Sequence, residues 1–342
     1  MAGEPPPVRL EVPDRPSGRR RLMAIQPIPA DRAEWLKLRA DYLGASEVCA
    51  LTGIQADFHK SEYMLWAVKS GKIERPDYSN KRTRSGNAFE DGVAQYTAEE
   101  RGWRLQPGVF AIDDDAPRFA ATLDRVVLPS AEDEANGFVG PGALEAKYVE
   151  WDQRDKWADG DPPPYYLIQL QAQLACTGWL WGAVCARVGS QHIVRPYLRH
   201  EGIIARIREE VGRFWARVDA GEEPSASDYY ASTEQALKAV YPRPEPKSVI
   251  DLRGNNELPV LCAEYVEVVE RRKKDEKREQ EIENTFRQLL GPNETAMLAG
   301  GFIVSRKIGK ASEGRPAKPG EIIGARRASD SIKISVEKEK AA

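Results

Sequence analysis

Residues 142–147 read Gly-Ala-Leu-Glu-Ala-Lys, and the stretch continues through Tyr148 and Val149. A glycine precedes it, a leucine and an alanine alternate with a carboxylate and an ammonium, and a polar turn follows. In an extended chain, residues i and i+2 project to the same face. A short strand over 143–149 therefore presents Glu145 and Lys147 together and turns Leu144 and Ala146 toward a core.

The flanks of this strand set the fold class. Upstream, residues 103–128 carry short apolar runs broken by Pro, Gly and Asp, the mark of strands and turns. An acidic loop follows at 130–140. Downstream, residues 162–178 open on three prolines and close on Gly178, the punctuation of a helix, with Leu167, Leu170 and Leu174 as its apolar stripe. Residues 181–189 and 191–199 read as a β-hairpin, and 201–221 as an amphipathic helix. Before the strands come four helical segments, at 31–42, 44–53, 61–73 and 87–102, with Asp31, Ser46 and Ser61 as N-caps. Helices, then strands, then helix and strands give an α/β core with a mixed sheet.

Outside that core, residues 1–28 are rich in Pro and Arg and read as a flexible arm, while 29–225 form the main domain. Residues 226–342 form an accessory region, with a long charged helix at 257–290 stopped by Gly291-Pro292 and a small β-hairpin after it. The four cysteines and three histidines are scattered, which excludes a disulfide framework and a zinc or iron–sulfur site. No apolar run approaches the roughly 20 residues of a membrane span. With no apolar leader segment, a cytoplasmic protein is expected. A net charge of −3 argues against a protein that coats polyanions, though local positive charge is compatible with it.

Asp124 lies upstream in Ala-Thr-Leu-Asp-Arg-Val-Val. An Asp followed by Glu-x-Lys on the next strand is the arrangement a metal-dependent phosphodiesterase needs. Two carboxylates and the Ala146 carbonyl suit hard Mg²⁺, with Mn²⁺ as substitute. Such a metal polarises the phosphate and acidifies a bound water. An adjacent lysine can position that water and offset charge in the transition state. On its own, Glu-x-Lys also describes an ordinary solvated ion pair.

Five blocks, in order, resemble the YqaJ-type viral recombinase family, relatives of bacteriophage lambda exonuclease within the PD-(D/E)XK nuclease superfamily. They are LRADYLGASEV, GNAFEDGVAQY, ATLDRVV, ALEAK and YYLIQLQAQLACTG, spanning about residues 33–205 with their surroundings. The resemblance implies a restriction-endonuclease-like core, a central mixed sheet flanked by helices. It implies catalytic roles for Asp124, Glu145, Lys147, Glu90 and Gln169, with Asp124, Glu145, Ala146 and Glu90 on the metal. Arg39, Ser46 and Thr122 would bind a terminal 5′-phosphate; Arg39 could instead pair with Asp41 or Glu34. Lys81, Arg82, Arg84 and Gln171 would follow the DNA backbone, or lie in a solvated loop and helix face, as is expected of Gln173. Trp151 and Trp157 could stack on a base or pack. The chain departs from the family at Leu123 and Arg125, where Pro and Gly are usual, and at Thr122, where Ser is usual. The acidic loop also lengthens the step from Asp124 to Glu145, which puts substrate geometry in question.

The implied activity is 5′→3′ hydrolysis of linear duplex DNA from its ends, leaving 3′ single strands for recombination. The implied setting is phage or prophage, with a single-strand annealing protein as partner and a ring-forming homo-oligomer, possibly a trimer. A structure-specific or single-strand endonuclease on the same fold is the alternative within the class, and a non-catalytic DNA-binding or assembly protein the alternative outside it.

Overall fold

A computed structural model describes residues 25–54, 60–77, 80–157, 159–243 and 245–308, and strand segments beyond 314 by backbone alone. Residues 1–24 of the arm expected at 1–28 and the side chains of Arg82 and Asn87 lie outside the described residues, while Ile25–Pro27 of that arm form a strand paired with Val109–Ala111. The chain divides into two compact units, Met1–Glu245 and Pro246–Ala342.

In the first unit, β1 (Ile25–Pro27) and α1 (Arg32–Ala40) precede β2 (Leu43–Gly44). The Asp31 side chain accepts the Glu34 N–H at 2.9 Å and so caps α1. A 3₁₀ turn (Ala45–Glu47) leads to α2 (Cys49–Thr52), which Gly53 ends in the left-handed region. The cap position of that turn is Gly44, so Ser46 lies inside the turn and is exposed rather than capping it. Helix α3 (Glu62–Lys69) is capped by Ser61 as its sequence predicts.

Helix α4 (Lys81–Arg101) begins six residues earlier than the pattern at 87–102 suggests. The cause is local: Asn80 accepts the Thr83 N–H at 2.9 Å while Thr83 Oγ1 accepts the Asn80 N–H at 2.8 Å. This reciprocal cap starts the helix through a polar stretch. Lys81, Arg82 and Arg84 thus belong to the first turn of a helix, not to a loop.

Strands β3 (Arg104–Pro107), β4 (Val109–Ile112), β5 (Phe119–Thr122) and β6 (Arg125–Leu128) follow, then α5 (Ala131–Ala135) and β7 (Gly142–Val149). Helix α6 (Pro164–Thr177), the hairpin β8 (Trp181–Val188) and β9 (Gln191–Leu198), α7 (Glu201–Ala220) and α8 (Ala231–Val240) complete the unit. Two sheets result, ordered β1-β4-β5-β2 and β3-β6-β7-β8-β9. The second is mixed: β7 runs parallel to β8 and antiparallel to β6. The expected architecture of a mixed sheet flanked by helices is what the chain forms.

Both faces of β7 are covered. Leu144 and Ala146 pack with Val93, Ala94 and Ala98 of α4, while Ala143 and Val149 join the main core with Leu170, Ala172 and Leu174 of α6. The face that bears Glu145 is therefore not solvated, and Glu145 is 2% exposed. Residues 226–245, read from sequence as accessory, sit with the first unit: α8 packs on α3, and Ala236 is fully buried in the main core.

In the second unit, α9 (Leu258–Leu290) is a long, mostly exposed helix. Strands β10 (Thr295–Met297), β11 (Phe302–Ile308) and β14 (Asp330–Val336) form an antiparallel sheet, with β12 (Arg315–Lys318) and β13 (Glu321–Ile323) as a separate hairpin. The strands predicted at 300–309 and 330–338 are β11 and β14, paired Phe302 to Val336 through Ile308 to Asp330.

Candidate active site

Lys147 is the centre of the site. Its Nζ lies 2.6 Å from Glu145 Oε1, 3.0 Å from the Ala146 carbonyl oxygen, 3.4 Å from Glu90 Oε1 and 3.8 Å from Asp124 Oδ2. The Tyr166 ring stands 5.8 Å away on α6. Asp124, Glu145 and Glu90 come from the β5–β6 link, β7 and α4, so three separate elements converge on one ammonium. Burial alone would lower the Lys147 pKa, but Glu145, Asp124 and Glu90 outweigh it and hold it well above the ordinary lysine value. The ammonium is thereby fixed as a cation.

Asp124 is held by its backbone and its side chain. Its Oδ2 accepts the Ala146 N–H at 3.2 Å. Leu123 N–H donates to the Val109 carbonyl at 2.9 Å, a bond that a proline at this position could not make. Arg125 Nη1 donates to the Asp124 carbonyl at 2.7 Å and its other nitrogen pairs with Asp91. The two departures at 123 and 125 thus fasten the link by other means. Gly108 backs it: a Cβ there would stand 2.0 Å from the Leu123 oxygen and 2.7 Å from that of Asp124. Burial, then the charges of Glu145 and Glu90, push the Asp124 carboxyl up to about 7 against the pull of Lys147.

Glu145 is enclosed by amides. Gln169 Nε2 donates to Oε1 and Gln173 Nε2 to Oε2, each at 2.6 Å. Residues i and i+4 share a helix face, which is why both reach the same carboxylate. Gln173 is fully buried, not solvated. Gln171 faces elsewhere: it donates to the Leu198 carbonyl at 2.9 Å and accepts the His200 N–H at 2.8 Å. Its amide ties α6 to the end of β9, so a backbone-phosphate contact would require breaking that tie. The Gln-x-Gln-x-Gln spacing carried the signal for Gln173.

Among the described residues, no three His, Cys, Asp or Glu side chains are grouped closely enough to enclose a metal ion. The carboxylates gather on the ammonium rather than on one another. The donor chemistry nonetheless fits a hard divalent cation. Three carboxylates and a carbonyl oxygen stand within 3.8 Å of one point, and a single ammonium leaves their charge in surplus. Burial first, and then the charges of Glu145 and Glu90, raise the Asp124 pKa.

A second polar cluster surrounds Glu47, which is 7% exposed. It accepts the Gly44 N–H at 3.0 Å and lies 3.2 Å from Lys60 Nζ and 3.7 Å from Lys69 Nζ. Lys69 also donates to the carbonyls of Arg39 and Tyr42, closing the C-terminal end of α1. Arg39 lies over Trp35 at 4.8 Å and faces Glu47 rather than Asp41 or Glu34. Burial would raise the Glu47 pKa, yet Lys69, Lys60 and Arg39 pull it below the usual carboxylate range. Glu47, Lys60 and Lys69 were not legible from sequence. Ser46 is exposed beside this cluster, and half-buried Thr122 lies two residues before Asp124. Cys49 Sγ donates to the Tyr165 carbonyl at 3.2 Å, tying the turn that bears Ser46 to the start of α6.

Lys81 and Arg84 are exposed on the first turn of α4. Trp157 is buried against Tyr166, at 5.6 Å between centroids, whereas Trp151 is 68% exposed. The acidic loop is displaced from the site. Its Asp133 is 3% exposed and accepts from Trp103 Nε1 at 2.6 Å, from Ser130 Oγ at 2.7 Å and from Arg101. Arg101 ends α4 about 16 Å of helix beyond Glu90. The added residues between Asp124 and Glu145 are thus anchored at the far end of α4.

Residues 34–179 match the model of the YqaJ-like viral recombinase domain. Among solved structures, the domain is similar to the alkaline exonuclease LHK-Exo from Laribacter hongkongensis, at 21% identity over 55% of this chain and 93% of that one, with a TM-score of 0.45. LHK-Exo in complex with dAMP gives 22% identity over the same shares and a TM-score of 0.46. No curated protein matches the chain. Among the described residues, no helix is long and apolar enough to cross a membrane.

Proposed function

We propose that the YqaJ-like domain is a metal-dependent deoxyribonuclease that degrades linear duplex DNA 5′→3′ and leaves 3′ single strands. The convergence of Asp124, Glu145, Glu90 and the Ala146 carbonyl on Lys147 Nζ carries this reading. Asp124, Glu145, Glu90 and Ala146 would hold Mg²⁺, with Mn²⁺ as substitute. When bound, the metal supplies Lewis-acid polarisation of the phosphate and an acidified water.

The chain's own groups divide the remaining work. Glu145, Asp124 and Glu90 hold the Lys147 pKa well above the ordinary lysine value in the metal-free protein, and the role proposed for the ammonium is electrostatic. It orients the attacking water and faces the charge that grows on the phosphoryl oxygens. Gln169 and Gln173 hold Glu145 in one orientation. In the metal-free protein the Asp124 carboxyl is raised to about 7, so it gives up its proton on binding the metal. Arg39 and Ser46, with Thr122, would hold the 5′-phosphate; Glu47, Lys60 and Lys69 support Arg39 and add net positive charge. Lys81, Arg82 and Arg84 would meet the duplex backbone. An annealing protein as partner, a ring-shaped homo-oligomer and action inside a phage-bearing bacterial cell complete the proposal.

The test is a linear duplex with 5′-phosphate ends, labelled separately at each terminus. With Mg²⁺, 5′ label is released and a closed circle is spared. Glu145→Ala and Lys147→Ala each lower the rate by about 10²–10³-fold or more. Wild-type rates in either variant, or cutting of the circle, overturn the proposal.

A further inference from the structure

Two aromatic rings stand in solvent at the edge of the site. Phe89 precedes Glu90 on α4, and Tyr148 follows Lys147 on β7. Their ring centroids are 4.8 Å apart with 35° between planes. Phe89 is 52% exposed and Tyr148 39%. The core between α4 and β7 does not depend on them, because Val93, Ala94, Leu144 and Ala146 fill it.

A nuclease that cuts at a duplex end must accommodate bases that have left the stack, and an unpaired base gains most from a new aromatic face. Phe89 is one step from Glu90 on α4, and Tyr148 lies one step from Lys147 on the α4-facing side of β7, with Glu90 reaching round to Lys147 Nζ at 3.4 Å, so a base on these rings is attached near the phosphate being cut. We propose that Phe89 and Tyr148 form a stacking platform for a nucleobase adjoining the scissile phosphate. This inference rests on the reading of the site as a DNA-cutting centre. Every base has a π face, so the platform accepts all four and adds affinity without sequence choice.

The experiment pairs a crosslink with kinetics. A linear duplex carrying 5-iododeoxyuridine at its 5′ terminus is bound with Ca²⁺ in place of Mg²⁺ and irradiated, and the attached peptide is mapped by mass spectrometry. Crosslinks fall on Phe89 or Tyr148. In Mg²⁺, the Phe89→Leu/Tyr148→Leu double variant raises KM for duplex about tenfold, whereas Phe89→Tyr, which keeps a ring, restores it toward wild type. Unchanged melting of the double variant shows that folding is not the cause. Crosslinks elsewhere, or a wild-type KM in the folded double variant, overturn the platform. A change in oligomeric mass with the KM intact assigns the rings to a contact between copies and overturns it too. If the unmodified protein cuts no DNA at all, the nuclease reading fails instead, so the two failures are distinguishable.

Discussion

Gln173 Nε2 lies 2.6 Å from Glu145 Oε2, and both side chains are almost wholly removed from solvent. A buried carboxylate is tolerable only when hydrogen bonds replace the water it has lost. The Gln173 side-chain oxygen Oε1, by contrast, has no hydrogen-bond partner among the described residues. The amide is therefore placed for its donor, in the service of Glu145. Gln173→Leu should destabilise the domain by about 1–3 kcal/mol, read by urea unfolding. Gln173→Glu should cost more, because it sets a second carboxylate against the first. If neither variant moves the unfolding midpoint, Glu145 is not held in this way.

Asp124 makes stability depend on pH in an unusual direction. Its carboxyl is raised from an ordinary 3.8 to about 7 by burial and by Glu145 and Glu90. Between those values the folded chain binds a proton that the unfolded chain has lost. Metal-free protein therefore loses stability as pH rises from about 4 through 7. A third of the side chain is exposed, so solvent screening keeps the effect to about 1 kcal/mol. Asp124→Asn should flatten that slope in chelator, and Mg²⁺ should restore the wild type at pH 7 to 8. A wild-type slope identical to that of the variant would rule the mechanism out.

Gly108 leaves no room for a side chain. A Cβ there would collide with the backbone oxygens of Leu123 and Asp124, at 2.0 and 2.7 Å. Backbone cannot step aside as a flexible side chain can, so Gly108→Ala should move the β5–β6 link. Expected are a loss of about 2 kcal/mol of stability and a fall in cleavage rate measured well below the melting temperature. Full activity in a folded Gly108→Ala protein would show that the link tolerates the shift.

Asp133 supplies the opposite case, a buried carboxylate far from the chemistry. It accepts from Trp103, Ser130 and Arg101 and fastens the acidic loop to the end of α4. Asp133→Ala leaves the Trp103 N–H and the Arg101 guanidinium without this acceptor, at a cost of about 2 kcal/mol. Cleavage at a temperature where the variant remains folded should be unchanged. A large loss of activity there would mean that the loop contributes to the substrate path after all.

The sequence by itself determined the elements and the chemistry they carry. Proline and glycine punctuation marked α6, period-two alternation marked β7 and β8, and the Asp, Glu-x-Lys and Gln spacings named the residues around Lys147. These signals are local, because helix and strand periods are written into residue spacing. Tertiary structure alone decided which polar groups are buried and what they meet. The apolar residues of β7 predicted one covered face, but α6 covers the other as well, so Glu145 is enclosed and Gln173 becomes its partner. Glu47 gathers Lys60 and Lys69 from a distant helix region, and Gly108 matters for a backbone that passes behind it. Such relations depend on the distance between segments after folding, a quantity that spacing along a chain does not encode.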